Sequence, residues 1–187
     1  SDHGDWMGDH GIMLKGPLHY QSLIRVPLIW ADPVESGSGS AAGRRVGRGI
    51  DALASTIDIP ATVLARAGLA PNNGMQGSCL LDSIAGSASG VSGRTGVLIE
   101  EDALRPNFGY DERPRVRTLV TDRYRLSIWQ AGNDEWGELY DLVNDPNELN
   151  NLWDDPVASK HRVDITHQLL RQTIAMQPRS PLPSGLA

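Results

Sequence analysis

A single cysteine among 187 residues leaves no intrachain disulfide to form, and one thiol does not settle the redox compartment. No apolar stretch approaches the roughly 18 residues that would span a membrane. The longest, residues 23–30 (LIRVPLIW), is interrupted by Arg25 and Pro27, so a membrane is not an expected partner. A basic excess is missing too: the formal net charge is -6, the pI is near 5.3, and no basic run exceeds Arg44-Arg45. Nucleic acids select a basic face, which excludes DNA and RNA as expected partners. No repeat is found beyond two Asp-His pairs close to the amino end. The hydrophobic content, 40%, is enough for the core of one domain or of one domain with a small appendage. We therefore expect a soluble protein, cytoplasmic or periplasmic, with that choice open because a signal peptide would precede these residues.

The first fifteen residues, SDHGDWMGDHGIMLK, are the chemically densest part of the chain. Gly4, Gly8 and Gly11 let the backbone turn sharply and approach a ligand closely. Asp2, His3, Asp5, Asp9 and His10 offer oxygen and imidazole donors suited to a divalent cation, and Lys15 can hold an anionic oxygen. On residue chemistry alone duller roles stand beside these. Asp2 and His3 can cap a turn, Asp9 and His10 can support the loop, and Lys15 can be a solvated charge. A zinc site made of His3 and His10 alone lacks a tetrahedral ligand set and the HExxH spacing.

Further along, residues 23–30 read as a buried strand at an edge or bulge, because Pro27 cannot donate to a ladder. Residues 33–49 are Gly- and Ser-rich and read as a surface loop, since GSGSAAG has the wrong spacing for a dinucleotide fingerprint. A helix is expected over 57–67, capped by Ser55 or Thr56 and ended by Gly68, with Ile59, Val63 and Leu64 toward the core. After a second Ser/Gly-rich stretch (86–96), GVLIEED reads as a strand. Residues 115–121 and 123–130 alternate at period two, and 138–142 follow a polar turn at 131–137. An antiparallel meander with its charges on the solvated face is the expectation. A final helix over about 157–176, opened by Asp155-Pro156, would use Val163, Thr166, Leu170 and Ile174 to cover that meander. NDPNELNNL lacks the spacing and Gly of an EF-hand and reads as a turn anchored by Asp145-Pro146. The tail PRSPLPSGLA reads as disordered or strapped across a surface.

Residues 1–30, SDHGDWMGDHGIMLKGPLHYQSLIRVPLIW, resemble a signature of the sulfatase branch of the alkaline-phosphatase superfamily, which includes formylglycine-type sulfatases and phosphonate monoester hydrolases. STIDIPATVLARAGL (55–69) resembles the family's helix and Gly turn, and GELYDLVNDPNELNNL (137–152) the hairpin and turn that close its C-terminal subdomain. The resemblance implies an α/β fold: the C-terminal fragment of an alkaline-phosphatase-like α/β sandwich, with a small antiparallel sheet packed by a C-terminal helix. It implies that residues 1–95 end the catalytic domain and that residues 96–187 form the meander-and-helix subdomain. It also implies metal ligation by Asp2 and His3 and contact of Lys15 with the sulfate or phosphate group of an ester, giving His3 and Lys15 catalytic roles. His10, His19 and Arg25 are the further candidates for substrate contacts or for supporting the ligands, and His19, Tyr20 and Arg25 could equally line the pocket or brace the loop.

The family's nucleophile, a Cys or Ser oxidised to formylglycine, lies two residues before a proline and four before an arginine. No proline here has Cys or Ser two places upstream, and Cys79 sits in CLLDS. The family's paired-aspartate motif is missing as well. The resemblance therefore implies a C-terminal portion, inactive by itself, of a metal-dependent sulfuric ester hydrolase. Its cofactor would be a divalent metal, calcium first, with manganese or zinc as alternatives, and formylglycine would lie on the missing N-terminal part. Its partners would be a small-molecule sulfate ester, or a phosphonate or phosphate ester, and that missing part, with a homo-oligomer left open. Two rival readings are a phosphonate monoester or phosphodiester hydrolase of the same superfamily and a non-catalytic interaction or folding module.

Overall fold

The computed structural model describes residues 1–31, 49–72, 74–85, 94–104, 106, 109 and 111–176. Most of the expected loop at 33–49, most of the Ser/Gly stretch at 86–96 and the tail from 177 lie outside the described residues. Four strands form one antiparallel sheet in the order β1 (Val97–Asp102), β2 (Arg115–Val120), β3 (Tyr124–Ala131) and β4 (Asp134–Asp141). The expected turn around Asp122 is present: Thr121 donates its amide to the Tyr124 carbonyl at 2.8 Å and accepts the Tyr124 amide on Oγ1 at 2.8 Å. The last strand begins four residues before the expected 138, because Gly132 (φ 59°) adopts the left-handed conformation that lets Ala131 pair directly with Asp134.

The sheet has two buried faces, and they differ in chemistry. On one, Leu119, Leu126 and Leu139 are fully buried against Ala158 and the helix α4 (Ser159–Ala175), which contributes Ile165 and Leu169. The helix covers the meander as expected, but with the other stripe: Val163, Leu170 and Ile174 are exposed. Both stripes have helical spacing, and α4 turns toward the meander the one whose Ile165 and Leu169 meet the sheet's leucines. The opposite face carries Val116, Thr118, Arg125, Ser127, Trp129, Glu138 and Tyr140, all buried. The expectation that strand charges are solvated fails here, because the amino-terminal segment packs over this face and turns its polar residues inward.

That segment is not a strand at 23–30. Residues Gln21–Ile24 form one helical turn, α1, in which the Leu23 amide bonds the Tyr20 carbonyl at 2.9 Å, and residues 25–30 leave it with no ladder. The expected middle helix is α2 (Asp58–Arg66), followed by the left-handed Gly68 and later by a short helix, α3 (Leu81–Ala85). Neither Ser55 nor Thr56 caps α2 through its side chain; the residue at the cap is Ile57. Nor do Ile59 and Val63 face the core. Asp58, Ala61 and Thr62 are buried instead, with Leu64 half-buried. Asp58 accepts the Ser55 and Ser78 amides at 2.7 and 2.8 Å and pairs with both terminal guanidinium nitrogens of Arg94. Burial pushes its carboxyl upward, but those donors outweigh burial and hold it below the usual range.

The turn after β4 is anchored as expected, with the Leu149 and Asn150 amides on the Asp145 carboxylate at 3.1 and 2.8 Å. Asp141, four residues earlier, is held down at about 2 from an ordinary 3.8, first by the Arg123 guanidinium and then by Asn144, against the opposing effect of burial. Because the folded value is the lower one, this carboxylate stabilises the fold at neutral pH, and its contribution is lost as pH falls from 3.8 through about 2. Urea midpoints measured across that window are expected to fall less steeply for Asp141→Asn than for the unaltered protein. Parallel slopes would contradict the assignment.

Candidate functional site

The Asp-His segment is folded back on the residues that follow Lys15. The Gly4 amide donates to the Leu23 carbonyl at 2.6 Å and the Trp6 amide to the Leu14 carbonyl at 3.0 Å. Gly4 is fixed by sterics, since a Cβ there would lie 2.0 Å from the Ser22 carbonyl oxygen. Gly8 and Gly11 take left-handed conformations around a 3-10 turn at Asp9–Gly11, and His10 joins them at φ 51°. These bends bring residue 15 back over residue 3.

The Lys15 ammonium donates to His3 Nε2 at 2.8 Å. The other ring nitrogen, Nδ1, lies 2.6 Å from the Gly4 carbonyl oxygen, which can only accept, so the hydrogen sits on Nδ1 and the lone pair on Nε2. That lone pair can accept from Lys15 or be offered to a cation, one at a time. The Asp2 carboxylate is 3.7 Å from the same nitrogen and is exposed. It is held below the usual carboxylate range, first by its own backbone amide, with the His3 amide and the Lys15 charge adding to the effect. A carboxylate oxygen and an imidazole nitrogen side by side fit part of a divalent cation's coordination, yet they are two donors where zinc takes about four and calcium roughly six to eight. Among the described residues no three His, Cys, Asp or Glu side chains gather as a cation site.

The remaining candidates are placed elsewhere. His10 stacks on Tyr20, ring centroids 3.7 Å apart, with Nε2 3.9 Å from Asp9. Arg25 is exposed at the end of α1. His19 is 3% exposed and clamped, Nδ1 at 2.8 Å from Thr118 Oγ1 and Nε2 at 3.1 Å from Glu101. Sequence reasoning did not find the groups beneath this loop. Trp129 donates its indole N–H to the Pro17 carbonyl at 3.0 Å, Tyr20 donates its hydroxyl to Glu138 at 3.3 Å, and the Gln21 amide donates to Glu148 at 2.7 Å. A signal was present, because Arg125, Ser127 and Trp129 share one strand parity and Glu138 and Tyr140 face them across the register.

Residues 8–175 match the family model described as N-sulphoglucosamine sulphohydrolase, C-terminal. The chain belongs to this sulfatase family. Lys15, His10, His19 and Arg25 fall inside the matched span, and Asp2 and His3 precede it. A relative in Escherichia coli named uncharacterized sulfatase YidJ is 33% identical over 156 residues, 83% of this chain and 27% of that protein. An arylsulfatase of Clostridium perfringens is 30% identical over 172 residues, 91% of this chain and 31% of its own. The chain thus spans less than a third of the length of these relatives. The phosphonate monoester hydrolase of Agrobacterium radiobacter superposes with a TM-score of 0.71 at 26% identity, over 95% of this chain and 34% of that one. The expected architecture stands: an α/β chain with a four-stranded antiparallel sheet and a C-terminal helix, as in sulfatases of the alkaline-phosphatase-like fold. Among the described residues no helix is long and apolar enough to cross a membrane.

Proposed function

We propose that this chain is the C-terminal part of a metal-dependent sulfuric ester hydrolase, to which it contributes Asp2 and His3 as two cation donors and Lys15 as the contact to the ester's sulfate. The observation that carries the reading is the convergence of those three side chains, with Lys15 2.8 Å and Asp2 3.7 Å from one imidazole nitrogen. Lys15 is an exposed point charge on a loop braced against the sheet, suited to donate to a non-bridging oxygen as negative charge grows there. His3 has its tautomer set by the Gly4 carbonyl, so its free nitrogen points toward Asp2 and Lys15. A divalent cation held there, calcium first and manganese or zinc as alternatives, would supply further positive charge against the developing oxyanion. The remaining cation donors and a formylglycine nucleophile would lie on polypeptide outside this chain.

The likeness to a phosphonate monoester hydrolase favours a second reading, in which the same three residues serve a phosphonate or phosphate ester. Comparing kcat/KM of the full-length enzyme for 4-nitrophenyl sulfate and an aryl phosphonate monoester separates the two. A preference for the sulfate supports the first reading; a preference for the phosphonate replaces it with the second. The 187-residue chain by itself is expected to turn over neither ester, and hydrolysis by the purified chain would contradict the placement of the nucleophile outside it.

A further inference from the structure

We propose that Trp129, Thr118 and His19 are positioning residues for Lys15: the loop's bends bring the lysine over His3, and the polar face of the sheet fixes where its ammonium stands. The inference rests on the reading of Lys15 as the ester contact. Within four residues after Lys15 the chain is fastened twice to the sheet. The Pro17 carbonyl accepts from the Trp129 indole at 3.0 Å, and the His19 ring is held between Thr118 and Glu101 at 2.8 and 3.1 Å. The partners lie on three adjacent strands, Glu101 on β1, Thr118 on β2 and Trp129 on β3, so the loop is held along a line across the sheet.

These anchors are stiff because what lies behind them is fully buried. Trp129, Thr118, Ser127 and Arg125 each have no exposed surface. The hydrogen bonds run in one consistent direction. Arg125 donates to Ser127 Oγ at 2.7 Å, Ser127 can donate to Thr118 Oγ1 at 2.7 Å, Thr118 then donates to His19 Nδ1, and His19 Nε2–H reaches Glu101. Every hydroxyl in that series both gives and receives, so none can turn without leaving a buried group unpaired. Only Gly16 separates Lys15 from Pro17, whose ring fixes its own φ, so a shift of the Pro17 carbonyl is passed to the lysine backbone with little room to absorb it. A misplacement of about 1 Å in such a contact is enough to cost on the order of 100-fold in rate.

The test uses the full-length enzyme and whichever of 4-nitrophenyl sulfate or an aryl phosphonate it turns over, in a double-mutant cycle. Thr118→Val removes the hydroxyl at nearly constant shape and is expected to lower kcat per folded enzyme by roughly 10- to 100-fold. Thr118→Ser, which restores the hydroxyl, is expected to recover most of that loss. In a Lys15→Ala background Thr118→Val should change kcat no further, since it acts through the lysine. Amide hydrogen exchange over residues 15–19 should quicken in Thr118→Val and not in Thr118→Ser. Should Thr118→Val not fold, Trp129→Phe, which removes the indole N–H, takes its place in the same cycle. A fall in thermal midpoint with kcat unchanged, or an equal loss with and without Lys15, would reduce these residues to structural braces and overturn the inference. Wild-type kinetics for Lys15→Ala would instead remove the reading beneath it, and the inference with it.

Discussion

Replacing Lys15 by alanine in the complete enzyme is expected to lower kcat by about 100- to 1,000-fold, the scale found when one preorganised donor to a developing oxyanion is removed. The side chain is exposed, and its one described polar contact is with the His3 ring, so little packing goes with it. The thermal midpoint should therefore move by no more than about a degree or two, the scale of a surface substitution. Lys15→Arg should recover only part of the rate, because a planar fork cannot reproduce a compact ammonium 2.8 Å from an imidazole nitrogen. Asp2→Ala should also lower turnover, and added calcium or manganese should relieve part of its loss but none of the Lys15→Ala loss. Unchanged kinetics for both variants would remove the site assignment.

The second large effect is on stability. Arg125 has no exposed surface, pairs with Glu148 and with Glu138 at 3.1 Å, and lies 4.7 Å from the Tyr140 ring centroid and 5.1 Å from that of Tyr20. Burial already pushes the Glu138 carboxyl above its ordinary range in opposition to Arg125, and burial also raises the Tyr140 hydroxyl. Arg125→Ala would leave two buried carboxylates facing each other without a cation. A destabilisation of about 3–5 kcal/mol is expected, read from the denaturant midpoint. Arg125→Lys should fall between the two, since one ammonium cannot reach Glu148, Glu138 and Ser127 with the geometry of a guanidinium. A loss below about 1 kcal/mol for Arg125→Ala would place this cluster among ordinary surface ion pairs.

These two residues also mark how far the sequence could be read. The nearness of Lys15 to His3 rests on local features, since the closure of the loop follows from glycines a few residues apart and Gly16-Pro17 come directly after the lysine. Arg125 was legible only as an exposed strand charge. Its burial depends on Glu148, twenty-three residues away, and on a segment more than a hundred residues earlier lying over the strand. The same holds for His19, whose partners are 99 and 82 residues distant, and for Trp129, which is 112 residues from Pro17. Residues 23–30 misled because a short apolar run carries no period that separates strand from helical turn, and the pairing partners a strand needs were not there to be seen.

Local chemistry by itself determined the meander, the existence of both long helices, the turn at Asp145 and the gathering of carboxylate, imidazole and ammonium near the amino end. Periodicity, turn residues and glycine placement act within a few residues, and nothing distant overruled them. Which stripe of α4 faces inward, which side of α2 is buried and which strand charges are satisfied inside were decided only when the elements met. Each of those choices compares burial against alternatives of nearly equal local preference, and the comparison is settled by partners far along the chain: three leucines for α4, Arg94 for Asp58, and two glutamates for Arg125.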